Sequence, residues 1–523
     1  RDEFHARLWP DTFVGDAALT RCVKEVRRAL GDRPEQPRFV STVPSVGYRF
    51  DAPVERQAAA PRRAARVLAV LPFRPLSPEA REPSLELGMA DTLITRLSGL
   101  RDLVVRPLAT VRRYGELDQD PLIAGRELGV DAILEGTLQR LGGRIRVSVR
   151  VLRPDDGAAL FAAQYDESLE DVFHVQDAVC RRITAAIAVE LDPAETERIT
   201  KHETNDLGAY RHFLRGRLGL GRMIPDEARR SIGHFEKALE VDPDYAQAMV
   251  SIAEANIVLA WQGLDTSTYY GRARGASQRA IELEPELGSA WSWLATVAWE
   301  HDWNWQEADR LFERAVELVP KVVDVWGRYS ASCAFSGRHE KAVRLGRRAV
   351  EVDPMSPMAT AWLAQALHMA DRSDEAVEIG DALLSRVSDP PPFLLFILGV
   401  ACLQVGRPER AIAHLERAAA TGRPDFLGVL AHAYLRAGRD GEASALEASL
   451  CEQRRAGTAP PFALAMISAA RGDADRFFRD IEETFEQPGL HSTLIASEPL
   501  LEPFRDDPRA VRLIRRLGLP TQG

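Results

Sequence analysis

The chain has little of what carries chemistry on its own. Its five cysteines, Cys22, Cys180, Cys333, Cys402 and Cys451, are odd in number and far apart. That argues against a disulfide framework and for a reducing compartment. No run approaches the ~18 apolar residues of a membrane span, and VLAVLPF at 67–73 is only strand-sized. A basic-then-apolar leader is missing too, so a cytoplasmic protein without a membrane partner is expected. The first residue is Arg, and the chain looks cut from a longer one.

Catalytic and metal patterns are equally scarce. The eleven histidines show no ligand spacing, and there is no Cys-x-x-Cys pair, glycine-rich phosphate loop or G-x-S-x-G elbow. The carboxylates of DIEETFE at 480–486 read as a solvated helix face. The expectation is a non-enzyme without cofactor or metal. Positive charge is not in excess either: the net charge is −10. Residues 1–56 nevertheless hold ten Lys/Arg against nine Asp/Glu, and APRRAAR follows at 60–66. A slightly basic amino end on an acidic protein permits nucleic-acid binding without requiring it.

What is present is periodicity. With 523 residues, 45% hydrophobic and 28% charged, the chain has ordinary globular composition and length for several domains. FEKALEVDP ending at Pro243, SQRAIELEP at Pro285, LFERAVELVP at Pro320 and GRRAVEVDP at Pro354 are one phrase written four times. Each reads as the second helix of a pair, stopped by its proline. Gly337, Gly406 and Gly438 each precede a small residue, Ala342, Ala411 and Ala443, by five positions. Small residues there let helices approach while Trp291, Trp326 and Leu363 fill the neighbouring groove. This pattern resembles a tetratricopeptide (TPR) array over about residues 205–480, with six clear units and a degenerate seventh near Gly472, closed by a helical cap at 481–523. Trp299, Gln365, His368 and His432 fall at repeat positions expected on the concave surface. A groove for a protein or small-ligand partner would lie there; ordinary packing is the simpler reading.

Between residues 67 and 195 the period changes. RVLAVLPF, DLVVRPL, VDAILEGTLQR, RIRVSVRVLRP and AALFAAQYDES read as strands, the last three joined by turns at Gly142-Gly143 and Asp156-Gly157. Helices are expected at LELGMADTLITRLSGL, IAGRELG and LEDVFHVQDAVCRRITAAIAVEL. Through LPF, ELGVDAILEG and YDESLEDVFHVQD, this α/β mixed-sheet segment resembles the TolB amino-terminal-like domain, which implies no known chemistry.

At the amino end, GDAALTRCVKEVRRALGD places Leu19, Val23, Val26 and Leu30 on one helical face, with Gly31 where the helix should stop. Arg21, Lys24 and Arg28 project away from that face, with Thr20 and Arg27 on its flank. RFVSTVPSVGYRFDAPV then reads as two strands around a turn at 44–47. A helix beside a hairpin can enter the major groove while the hairpin meets flanking backbone.

Residues 1–50, from LWPDTFVGDAALTRCVKEVRRALGD to PRFVSTVPSVGYRF, closely resemble the carboxy-terminal half of the OmpR/PhoB-type winged-helix domain. The resemblance implies a recognition helix at 16–30 and a wing at 39–50, with Leu8 and Trp9 ending the preceding helix. Carried over by position, Thr20, Lys24, Glu25 and Arg27 fall where the family meets bases or phosphates, and Thr42 and Tyr48 where its wing meets backbone. Arg21 and Arg28 come from the helical projection. Two departures stand out: the family's first sheet and helix have no counterpart, and the wing tip PSVG lacks the usual cation. A mainly α, multidomain architecture follows. It comprises a partial winged helix at 1–54, a linker at 55–66, an α/β domain at 67–195, a TPR α-solenoid at 205–480 and the cap. The implied function is transcriptional regulation on double-stranded DNA, with a homodimer on tandem half-sites; the alternative is a TPR scaffold whose amino-terminal remnant is inert.

Overall fold

A computed structural model describes residues 16–33, 37–43, 46–51, 67–75, 83–100, 103–115, 119–141, 144–168, 172–187, 196, 202–220, 225–387 and 390–519. The chain divides into two units, Arg1–Arg63 and Ala64–Gly523.

In the first unit, helix α1 (Asp16–Leu30) stops where glycine permits it. Gly31 adopts φ 64°, and two bonds close the end, Gly31 N to Arg28 O at 3.3 Å and Asp32 N to Arg27 O at 2.8 Å. Strands β1 (Val40–Val43) and β2 (Gly47–Phe50) pair antiparallel with Thr42 opposite Tyr48. Leu8, Trp9, Pro44 and the 55–66 linker lie outside the described residues. The apolar row of α1 is not what the hairpin covers: Val26 is 48% and Leu30 41% exposed. Hairpin and helix meet instead on the Thr20–Arg27 flank.

The second unit begins with a six-stranded mixed sheet, order β5-β3-β6-β7-β8 with β4 beside β6. Its strands are β3 (Val67–Val70), β4 (Arg74–Pro75), β5 (Val104–Val105), β6 (Ala132–Leu141), β7 (Arg144–Leu152) and β8 (Ala159–Ser168). β3 is parallel to β5 and β6, and β6, β7 and β8 form an antiparallel meander. Gly157 (φ 69°) makes the expected second turn, while Gly142-Gly143 lies outside the described residues. Helices α2 (Pro83–Ser98), α3 (Leu108–Val111), α4 (Pro121–Glu127) and α5 (Val172–Ala186) accompany the sheet. Leu68, Leu93, Ile133, Val147 and Val179 share its dry core.

Eight antiparallel helical pairs follow among the described residues. They are α6 (Leu207–Leu220) with α7 (Pro225–Val241), α8 (Ala246–Ala260) with α9 (Thr266–Leu283), and α10 (Gly288–Glu300) with α11 (Trp305–Leu318). Next come α12 (Val323–Phe335) with α13 (His339–Val352), α14 (Pro357–Met369) with α15 (Ser373–Leu384), and α16 (Pro392–Gln404) with α17 (Pro408–Ala419). The last two are α18 (Pro424–Arg436) with α19 (Asp440–Arg455), and α20 (Pro461–Arg471) with α21 (Ala474–Thr484). This exceeds the seven units counted from the sequence, and α21 crosses the expected boundary at 480. The reason is where proline sits. From α14 onward it opens the first helix of a pair, as Pro357, Pro392, Pro424 and Pro461, instead of only closing the second.

The α/β layer is built onto the array. Tyr210 of α6 places its hydroxyl 2.7 Å from Thr92 Oγ1 and accepts from Gln176 Nε2 at 2.7 Å. Lys321 Nζ donates to Leu100 O and Leu103 O at 2.9 and 3.1 Å, and buried Arg106 pairs with Asp353. No described helix is long and apolar enough to cross a membrane.

Candidate functional site

The cationic helix of the first unit is held by its own side chains. Arg27 Nη2 donates to Val40 O at 2.8 Å and to Thr42 Oγ1 at 3.0 Å, and Arg27 Nε reaches the same carbonyl at 3.2 Å. Its guanidinium lies 5.8 Å from the centre of the Tyr48 ring, and Tyr48 Oη donates to Thr20 Oγ1 at 3.4 Å. Four of the positions expected to meet DNA are thus joined in one network that fixes hairpin to helix. Asp32 completes the joint: its carboxylate accepts from the backbone N–H of Arg38, Phe39 and Val40 at 2.6, 3.1 and 2.7 Å. Those donors, the Arg38 N–H foremost, hold it below the usual carboxylate range.

Arg21, Lys24 and Arg28 are exposed on the outward stripe of α1. The side chain of Glu25 lies outside the described residues. A stripe of two guanidiniums and one ammonium on a helix of fifteen residues can neutralise phosphates and, through either arginine, offer a bidentate donor pair to guanine O6 and N7.

Burial corrects the expected partner lining: Trp299, Gln365, His368 and His432 are all buried. Trp299, 2% exposed, lies with its ring centre 5.2 Å from that of Phe335 and 6.1 Å from that of Trp305. His432 Nδ1 sits 2.9 Å from Met466 O, and burial pushes its imidazole down to about 4. Gln365 is buried one turn before His368 on α14. His368 places Nδ1 2.9 Å from Ser373 Oγ and Nε2 2.9 Å from Glu498 Oε1.

The Glu498 that meets His368 belongs to the carboxy-terminal segment, comprising α22 (Leu490–Ser497), a 3₁₀ turn (Pro499–Phe504) and α23 (Pro508–Arg516). That segment contacts the first helices α12 and α16 and buries Ile495, Leu501 and Leu517 completely. Leu517 O accepts from Trp305 Nε1 at 2.8 Å. Burial pushes the Glu498 carboxyl up, but His368 and the Leu500 N–H pull it further down, leaving it below the ordinary range. Sequence reasoning missed Glu498 because its partner is 130 positions away. It also missed Glu300, which accepts from Tyr270 Oη at 2.7 Å and Trp261 Nε1 at 3.0 Å. Burial outweighs both donors and pushes Glu300 up to about 8.

With the geometry in view, comparison with known proteins adds likeness by segment. Residues 1–50 match the family described as "Transcriptional regulatory protein, C terminal", and residues 334–391 and 396–460 match "Tetratricopeptide repeat". The chain joins an OmpR/PhoB-type segment to tetratricopeptide repeats. Putative adenylate cyclase 3 of Rhizobium meliloti (strain 1021) is 34% identical over 240 residues, which is 43% of this chain and 40% of that protein. Transcriptional regulator HilA of Salmonella typhimurium (strain LT2) is 23% identical over 397 residues, 74% of this chain and 69% of its own length. Among solved structures, PilW, a type IV pilus biogenesis factor, aligns at 17% identity and a TM-score of 0.31. That alignment covers 40% of this chain and 92% of PilW.

Proposed function

We propose that the chain is a transcriptional regulator whose helix α1 enters the major groove of promoter DNA, under the control of a partner bound by the TPR-containing unit. The observation that carries this is the Arg21/Lys24/Arg28 stripe, left outward on a helix that Arg27 and Tyr48 tie to its hairpin. In this reading Arg27, Thr20, Thr42 and Tyr48 act first as a frame: they set the angle between helix and wing, and the three outward cations meet the DNA. The HilA likeness, spanning 74% of this chain, supports it over a cyclase reading drawn from the Rhizobium relative. A homodimer on tandem half-sites is part of the proposal.

The test is fluorescence anisotropy of the chain on its own upstream DNA across a salt series. Affinity should fall log-linearly with salt, at a slope of about −0.9 for each phosphate neutralised. Replacing Arg21, Lys24 and Arg28 together by Ala should remove both binding and slope. A salt-independent signal, or none at low salt, would leave the second reading, a TPR scaffold with an inert amino-terminal remnant. Half-exposed Val26, Leu30 and Phe50, which leave that unit's apolar face open, favour that alternative.

A further inference from the structure

The two edges of the sheet are unlike. β5 pairs over only two residues, whereas β8 runs for ten and pairs with β7 alone among the described residues. A strand edge offers a row of unpaired N–H and C=O groups, which proteins blunt with proline, lysine, a bulge or a cover. Along 160–165 the sequence is Leu-Phe-Ala-Ala-Gln-Tyr, with no charge, proline or glycine. The one irregularity in pairing leaves Leu160 without a partner, between Leu152↔Ala159 and Val151↔Phe161, and 161–165 keep a regular register with β7. At the far end Asp166 is neutralised across the ladder by Arg144 and Arg146 at 3.1 and 2.5 Å.

Beside that edge lies a groove of about 590 Å³. One wall is β8, with Phe161, Ala163 and Tyr165 half-buried; the other is α5, through Ala178, Arg181 and Arg182. Both arginines are exposed and have no carboxylate partner among the described residues. Apolar floor, open backbone edge and paired cations are the elements of strand addition: main-chain bonds supply affinity and side-chain chemistry selects the partner.

Charge decides between occupants. A second copy paired antiparallel about a twofold axis would bring Arg181 and Arg182 of both copies to the same side of the joined sheet, four guanidiniums against the single Glu167 that each β8 carries there. An incoming strand carrying carboxylates on that side meets them favourably. We propose that β8 is a docking edge for an extended acidic segment of a partner protein, which adds as a further strand and sets its carboxylates against Arg181 and Arg182. The inference does not depend on DNA binding, and its test uses none.

The probe is a fluorescein-labelled Val-Glu-Val-Glu-Val-Glu peptide titrated into the full chain, with Val-Lys-Val-Lys-Val-Lys as its control. The acidic peptide should bind, and hydrogen exchange of the 160–165 amides should slow in its presence. Arg181→Glu with Arg182→Glu, both at exposed positions, should weaken binding at least about tenfold, a change of ~1.4 kcal/mol. Arg181→Lys with Arg182→Lys should retain most of it. Equal binding of the basic peptide, or binding that leaves 160–165 exchange unchanged, overturns the proposal. So does protection of 160–165 that grows with protein concentration alone, which would make a second copy the occupant. No binding at millimolar peptide also overturns it.

Discussion

At the residue scale, three side chains placed by the fold have measurable consequences. Arg27 holds the hairpin through a carbonyl and a hydroxyl. Arg27→Ala should therefore loosen that contact by about 1–3 kcal/mol, the range for a charged hydrogen bond left unmade. Amide exchange at 40–43 should accelerate while α1 stays helical; unchanged exchange would mean that Arg27 is not the tie. Glu300 concerns pH. Its folded pKa is raised to about 8, so its contribution is fully present below the ordinary carboxylate value and is lost as pH rises through about 8. Calorimetry between pH 5 and 9 should show the chain losing stability toward the alkaline end more steeply than Glu300→Gln does. Parallel curves would refute this account of Glu300. Glu498 has the opposite sign: with its pKa lowered, its contribution is present above the ordinary value and is lost as pH falls below it.

At the scale of elements, helix spacing in the array is set by residues without side chains. A Cβ on Gly428 of α18 would fall 2.3 Å from Ala463 O of α20, a backbone atom that cannot swing aside. Gly428→Ala should force the two helices apart and destabilise the chain by about 1–3 kcal/mol. Gly271→Ala, on α9 with nothing within 4 Å, should stabilise it by up to about 1 kcal/mol. Thermal melts of the pair check both signs. These elements were largely legible in the sequence. Proline-stopped phrases, Gly turns and period-2 strands are local signals, and they mark the helical pairs, the β6–β8 meander and the α1–hairpin unit. The two-residue β4 was not, since a bridge that short has no period to read, whereas β5 lies within the strand read at DLVVRPL. The count fell one pair short for a related reason: from Pro357 onward proline opens helices instead of only closing them. Trp299, Gln365, His368 and His432 were read from repeat spacing as a partner groove, and all four are buried. The partner of His368, Glu498, comes from the segment 490–517, and repeat spacing carries no information about that distant segment.

For the whole molecule, that segment is the main departure from an open solenoid. Ending the chain after Gln487 would strip the buried Ile495, Leu501 and Leu517 from the inner face, each worth about 1.5–3 kcal/mol of apolar burial. The truncated chain should bind a hydrophobic dye and melt at least about 10 °C lower, given the 2–4 °C per kcal/mol typical of mid-sized domains. An unaltered melt would show that the seat contributes nothing to stability.

One contact reaches further. Gly263, in the second pair, lies so close to the far end that a methyl group on it would stand 2.5 Å from His491 Nδ1 and 2.8 Å from Pro460 Cβ. Thr266 N donates to Gln487 Oε1 at 3.2 Å beside it. An array of repeats with free ends is a one-dimensional object, able to fray from its tips and to hold a partly melted length beside an intact one. Here a late turn of the coil is fastened to an early one. Peeling back one repeat therefore breaks contacts at both ends of the coil, and such a closed band comes apart in a single step.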